Sequence, residues 1–117
     1  MTSILVIDDD PVIRKFLSGL LSKKHEVHAF ESWSSAYASL RENQYQLVLL
    51  DVQMPGFQGD DIARLVRRSS DGKVILFSSL EVNELKRRSE DCGADGYVRK
   101  NLDPVELKEA LSEFIEA

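Results

Sequence analysis

The stretch Ile4-Leu5-Val6-Ile7-Asp8-Asp9-Asp10-Pro11-Val12-Ile13-Arg14-Lys15-Phe16-Leu17 decides the fold. Its first four residues are continuously apolar and rich in β-branching, the pattern of a strand buried on both faces. Three aspartates then end the run. Asp10 followed by Pro11 starts a helix, with a carboxylate at the N-cap and a proline at the first helical position, where a missing N–H is harmless. Ile13, Phe16, Leu17, Leu20 and Leu21 follow at helical spacing and give that helix one apolar face. Buried strand, acidic turn and amphipathic helix together make the first half of a βαβ unit.

The rest of the chain repeats the alternation. Val27 to Phe30 reads as a shorter, more polar strand suited to a sheet edge, and Ser32 caps a helix marked by Trp33, Ala36, Tyr37 and Leu40. Leu47-Val48-Leu49-Leu50 is again fully apolar and stops at Asp51. After the turn Met54-Pro55-Gly56, the spacing predicts a helix from about Gly59 to Arg68, with Ile62, Leu65 and Val66 on its packing side. Asp71-Gly72 marks a turn before the buried strand Val74-Ile75-Leu76-Phe77. The helix predicted from about Glu81 to Cys92 has a thin apolar stripe, Val82, Leu85 and Cys92, and Gly93 ends it. Gly96-Tyr97-Val98-Arg99 is a short last strand. Asp103-Pro104-Val105-Glu106 then combines an N-cap, an N1 proline and a capping-box acid ahead of a final helix carrying Leu107, Ala110, Leu111 and Phe114.

The order is therefore (βα)5. Strands alternating with helices pair in parallel through right-handed crossovers, giving an open sheet with helices on both faces. The first, third and fourth strands are the most apolar and belong in the centre. That predicts an α/β three-layer sandwich of flavodoxin-like type, its five-stranded parallel sheet ordered 2-1-3-4-5.

Composition bounds the rest. The 117 residues suit a single domain spanning 1–117, and 43% hydrophobic against 30% charged residues excludes disordered and collagen-like classes. A formal charge of −5 argues against a nucleic-acid binder, whose phosphate contacts need a basic surface. Cys92 is the sole cysteine, so no internal disulfide forms. No apolar run approaches the roughly 20 residues of a membrane span, and Met1-Thr2-Ser3 leads straight into the first strand with no signal-like leader. The expected setting is the cytoplasm, away from membranes.

In open α/β sheets, ligands bind at the carboxyl ends of the strands, near the switch in strand order. Here the first strand ends in Asp8-Asp9-Asp10, the third in Asp51, the fourth in Ser78-Ser79 and the fifth in Lys100. A lone acid after a strand is a helix cap, which accounts for Asp10. Several carboxylates converging with a lysine and a hydroxyl need a compensating cation. The all-oxygen set points to a hard metal such as magnesium. A carboxylate flanked by magnesium, a lysine and a hydroxyl suits phosphoryl transfer, with cations neutralising the incoming group while the carboxylate attacks in line.

The runs ILVIDDDPVIRKFL, LVLLDVQMPG, VILFSS and GADGYVRK, in this order and spacing, resemble the receiver domain of two-component response regulators across essentially the whole chain. The resemblance implies that Asp51 accepts phosphate from a sensor histidine kinase or a histidine phosphotransfer protein. It assigns magnesium to Asp8, Asp9 and Asp51, with Asp9 a direct ligand, Asp8 acting partly through water, and the backbone carbonyl of Gln53 completing the set. Ser78 takes the place of the switch hydroxyl, Lys100 that of the lysine pairing with the phosphoryl group, and Tyr97 that of the aromatic whose rotation accompanies activation. Gln53 and Leu80 flank the phosphoryl group. The implied role is regulatory, without enzymatic activity beyond self-catalysed phosphotransfer and autodephosphorylation. A downstream protein or fused output domain docks near the fourth helix and fifth strand. Asn101 departs from the family's proline after the lysine. A cis bond before a non-proline residue costs roughly 2.5–4 kcal/mol, so a trans Lys100–Asn101 bond and an altered loop are expected.

Three rival readings stand beside this one. Asp8-Asp9-Asp10-Pro11-Val12 also fits the motif of haloacid-dehalogenase-type phosphatases, with Asp8 as nucleophile, but that leaves Asp51 without a role. A flavodoxin-like nucleotide binder needs a Gly/Ser/Thr-rich loop where three aspartates stand. A receiver-like docking module that is never phosphorylated has no need of the full acid, hydroxyl and lysine set. Elsewhere the bland readings hold: His25 and His28 as surface histidines, Cys92 as a small buried hydrophobe, Trp33 as packing, and Arg67-Arg68 and Lys86-Arg87-Arg88 as solvated faces. Stand-alone protein and piece of a larger regulator remain equally open at this point.

Overall fold

Every apolar run becomes a strand and every amphipathic run a helix. A computed structural model describes residues 2–53, 59–69, 71–101 and 103–115, with the backbone alone described at 59–62 and 69. The elements are β1 (Ser3–Ile7), α1 (Pro11–Leu21), β2 (Glu26–Phe30), α2 (Trp33–Glu42), β3 (Leu47–Leu50), α3 (Gly59–Ser69), β4 (Lys73–Ser78), α4 (Val82–Cys92), β5 (Gly96–Arg99) and α5 (Pro104–Ile115). All four strand pairings are parallel, in the order β2-β1-β3-β4-β5. The predicted architecture is the observed one. The turn expected at Met54-Pro55-Gly56 lies outside the described residues.

The two-residue period of the strands sorts the core into two layers. Leu5, Ile7, Val48, Leu50, Val74 and Leu76 face α2, α3 and α4, where Ala36, Leu40, Ala63, Val66, Leu85 and Cys92 meet them. Ile4, Val6, Leu47, Leu49, Ile75, Phe77 and Val98 face the other way, onto Leu17 and Leu21 of α1 and Leu107 and Leu111 of α5. Every residue of β3 is buried, as its unbroken apolar run requires, whereas β2 is half-buried at the edge.

Helix ends follow their local chemistry. Asp10 Oδ1 accepts from Val12 N at 2.9 Å ahead of Pro11, Ser32 Oγ from Ser35 N at 3.2 Å, and Asp103 Oδ1 from Glu106 N at 2.9 Å. Glu81, expected inside its helix, is instead the N-cap of α4, its carboxylate accepting from Asn83 N and Glu84 N. Gly93 closes α4 at φ 75°, a left-handed conformation that glycine takes without a Cβ penalty.

The helix faces depart from expectation in places. Leu65 is 43% exposed, and Ala63 joins the expected Val66 in packing α3, while the side chain of Ile62 lies outside the described residues. Val82 is 40% exposed, so α4 rests on Leu85 and Cys92 with Ser89 between them. This stripe is thinner still than the sequence implies. The two arginines of α4 are paired within the helix: Arg87 with Glu84 and Asp91, and Arg88 with Glu84. Those two arginines hold the Glu84 carboxyl below its usual range. Arg67 pairs with Asp95.

The histidines are less exposed than predicted, both being half-buried. His28 Nδ1 lies 2.6 Å from the buried Tyr45 hydroxyl and its Nε2 3.1 Å from Glu26. His25 is half-buried, and its Nδ1 has no hydrogen-bond partner among the described residues. Trp33 packs against the core layer as expected. Among the described residues, no helix is long and apolar enough to cross a membrane.

Gly72 carries the tightest steric constraint. A Cβ there would lie 2.1 Å from the Tyr45 backbone oxygen, which has no rotamer through which to retreat. Gly72→Ala is expected to destabilise the fold by about 2–3 kcal/mol in chemical denaturation, at unchanged m-value.

Candidate functional site

Parallel register delivers four strand ends to one edge. Ile7 pairs with Leu50 and Leu50 with Leu76, while Ser78 pairs with Arg99. The next backbone bonds extend each ladder by one step. Asp51 N donates to Ile7 O at 3.0 Å, Asp8 N to Phe30 O at 3.0 Å, and Lys100 N to Ser78 O at 2.9 Å. Asp8, Asp51 and Lys100 are thus each held by a sheet bond immediately beyond a strand.

Asp8 is 1% exposed and Asp51 3%, whereas Asp9 is exposed. Lys100 Nζ stands between the two buried acids, 2.7 Å from Asp8 Oδ2 and 3.2 Å from Asp51 Oδ2. The ammonium also lies 5.6 Å from the centre of the Phe77 ring. The remaining carboxylate oxygens are fixed by main chain: Asp8 Oδ1 accepts from Asp10 N at 3.0 Å and Asp51 Oδ1 from Gln53 N at 2.8 Å. Arg14, on α1, donates to the Asp8 carbonyl at 2.8 Å.

Burial pushes the Asp51 carboxyl above its ordinary range. The Gln53 N–H and the Lys100 charge pull it down, the Asp8 charge adds to the rise, and the net direction is upward. Burial works against the Lys100 ammonium too. The bond to Asp8 and the charges of Asp51 and Asp8 outweigh it, and Lys100 holds its proton above the ordinary lysine range.

One carboxylate oxygen from each of Asp8, Asp9 and Asp51 lies within 4.8 Å of the other two. Asp8 Oδ2 is buried and faces the Lys100 ammonium at 2.7 Å. An all-oxygen set of three carboxylates fits a hard divalent cation such as magnesium. The three predicted acidic residues and Lys100 are brought together.

Ser78 is fully buried. Its hydroxyl donates to Gln53 Oε1 at 2.8 Å and accepts from Leu80 N at 3.1 Å, while Ser79 Oγ donates to the same Gln53 oxygen at 3.0 Å. This use of the Gln53 side chain is absent from the sequence reading, which gave that residue a role through its carbonyl. Tyr97 is half-buried and packs with Leu80 against the α2–α4 layer. Arg99, also unanticipated, donates to Leu80 O at 3.0 Å and ties β5 to the loop after β4. Among the described residues no peptide bond is cis, so Lys100–Asn101 is trans. The expected reshaping of the following loop falls on Leu102, outside the described residues.

A profile of the response regulator receiver domain matches residues 4–112. The chain belongs to that family. Among curated proteins, the receiver domain is 34% identical over 97 residues to the regulatory protein VanRB of Enterococcus faecalis, covering 83% of this chain and 44% of VanRB. It is 36% identical over 110 residues to the transcriptional regulatory protein AruR of Pseudomonas aeruginosa, covering 89% of this chain and 45% of AruR. The chain thus spans less than half the length of these relatives. Among solved structures, the response regulator DrrB of Thermotoga maritima superposes with a TM-score of 0.87 at 31% identity, over 99% of this chain and 53% of DrrB. The BeF3-activated receiver domain of DrrB gives 0.88 at 30%, over 100% and 99%. The receiver domain is accordingly a response regulator module of two-component systems.

Because Asp51 titrates above 3.8 in the fold, the native state binds more protons than the unfolded chain between 3.8 and its native pKa, and stability falls as pH rises through that window. Asp51→Asn is expected to stabilise the metal-free protein at neutral pH, read as a higher urea midpoint. In urea titrations, that gain shrinks as the pH is lowered into the window where native Asp51 is itself protonated. Lys100 gives the same slope in its own window, its stabilisation being complete below 10.5 and lost as pH rises through its higher native value.

Proposed function

We propose that residues 1–117 form a single receiver domain that takes a phosphoryl group onto Asp51 from a phosphohistidine. The observation that carries the reading is Lys100 Nζ held 2.7 Å from Asp8 and 3.2 Å from Asp51, beside the exposed Asp9. An Asp51 oxygen attacks phosphorus as the bond to the histidine nitrogen breaks, and that nitrogen leaves with the electron pair. The Gln53 N–H orients the carboxylate from behind, and Lys100 pairs with the developing negative charge. Asp8, Asp9, Asp51 and the Gln53 backbone carbonyl are the residues that would hold magnesium. When bound, magnesium supplies positive charge that offsets repulsion between the acids and the incoming phosphoryl oxygens.

Phosphorylation replaces one carboxylate charge with about two negative charges and adds strong acceptor oxygens. Ser78 and Lys100 turn toward them. Their movement biases the loop after β4, which Arg99 ties to β5, together with Tyr97 and the thinly packed α4. The donor is a sensor histidine kinase or a histidine phosphotransfer protein. The readout is a downstream protein or a fused output domain docking near α4 and β5, in the cytoplasm and without nucleic-acid contact by this domain. The role is that of a regulator whose own chemistry ends at self-catalysed transfer and hydrolysis. The phosphatase alternative asks Asp10 for acid/base work, but its carboxylate is committed to capping α1.

Acetyl phosphate with magnesium is expected to label Asp51, mapped as an acyl phosphate by reductive trapping. Asp51→Asn or chelation of the metal should abolish labelling. Label on Asp8 would instead support the phosphatase. Amide exchange over residues 81–99 is expected to change on adding beryllofluoride, and an unchanged pattern there would place the switch elsewhere.

A further inference from the structure

Gln53 grips the chain at two points that the proposed chemistry uses. Its backbone N–H holds Asp51 Oδ1 at 2.8 Å, and its side-chain oxygen accepts both serine hydroxyls at the end of β4, Ser78 at 2.8 Å and Ser79 at 3.0 Å. A serine hydroxyl has one proton to give. That of Ser78 is committed to Gln53, and its oxygen is already engaged by Leu80 N at 3.1 Å. Ser78 is fully shielded from solvent, so releasing Gln53 leaves its hydroxyl without water to turn to.

We propose that the Gln53 side chain is a latch that holds the Ser78 hydroxyl in its resting orientation, so that a phosphoryl group on Asp51 must compete with Gln53 for the Ser78 proton. This rests on the phosphoacceptor reading of Asp51 and adds to it a residue that sets where the switch is poised. The two-hydroxyl grip strengthens the latch, since Ser79 fills the second acceptor position of the amide oxygen and fixes its direction. Phosphorylation loosens it from both sides, because the same event that offers Ser78 a charged acceptor modifies the carboxylate on which the Gln53 backbone rests. The latch also reaches the next segment. While Ser78 Oγ is fixed it holds Leu80 N, and Leu80 O is bound by Arg99 of β5.

The test is Gln53→Leu, which keeps side-chain bulk at an exposed position while deleting the acceptor, with Gln53→Ala as a second variant. In the phosphate-free protein, amide exchange at Leu80 is expected to accelerate several-fold in both variants. With magnesium, the dissociation constant for beryllofluoride is expected to fall about three- to tenfold, the range set by one intramolecular hydrogen bond that no longer has to be broken. In a Ser78→Ala background, Gln53→Leu is expected to leave that constant unchanged, since the effect runs through the Ser78 hydroxyl. Unchanged Leu80 exchange, or an unchanged constant in otherwise wild-type protein, overturns the latch. An equal gain in the Ser78→Ala background overturns it too. Wild-type protein that binds no beryllofluoride overturns the phosphoacceptor reading itself, and the latch with it.

Discussion

Two carboxylates at the buried ends of neighbouring strands have lost nearly all their water and repel each other, and the Lys100 ammonium between them is what the described structure sets against that repulsion. Its distances of 2.7 Å to Asp8 and 3.2 Å to Asp51 place it closer to the former. The balance is incomplete, since Asp51 still titrates above its ordinary range. A domain that keeps a carboxylate in this state gives up part of its stability at that position. Anything that adds positive charge at the rim relieves the strain, and anything that changes the charge on Asp51 alters the force on Lys100.

The remainder of the fold anchors this edge on its most buried strands and packs one flank thinly. The central strands β1, β3 and β4 are buried on both faces and give the acids a rigid base. On that flank, α4 presents Leu85 and Cys92 to the core with a buried serine between them, so few apolar contacts resist its displacement. Its surface is knit together by Arg87, Arg88, Glu84 and Asp91, which favours motion of the helix as a unit over local unwinding. Hydrogen bonds from Arg99 and to Ser78 run from the site into the loop that precedes this helix.

Most of the architecture was legible because strand burial writes itself into unbroken apolar runs, and because Asp10-Pro11, Ser32 and Asp103-Pro104 announce helix starts chemically. The convergence of Asp8, Asp9, Asp51 and Lys100 followed from topology alone, since parallel strands share one carboxyl edge. Amphipathic faces were harder. Leu65 and Val82 have the right spacing yet remain more than a third exposed, because periodicity does not say how wide a stripe the neighbouring layer covers. The link from Gln53 to Ser78 and Ser79, and that from His28 to Tyr45, were invisible for another reason. Side-chain hydrogen bonds between segments depend on reach and rotamer, and neither leaves a period in the sequence.

The alternation that divides the strands between two helix layers carries an evolutionary consequence. Ile4 and Val6 face one layer while Leu5 and Ile7 face the other, and Asp8 comes one step later. Dropping or gaining a single codon inside β1 or β3 would invert that parity along the strand and carry an acid off the rim in the same stroke. Single-residue length changes are therefore expected to be tolerated only in connections between elements, whereas one apolar side chain exchanged for another within a layer leaves the acidic rim in place.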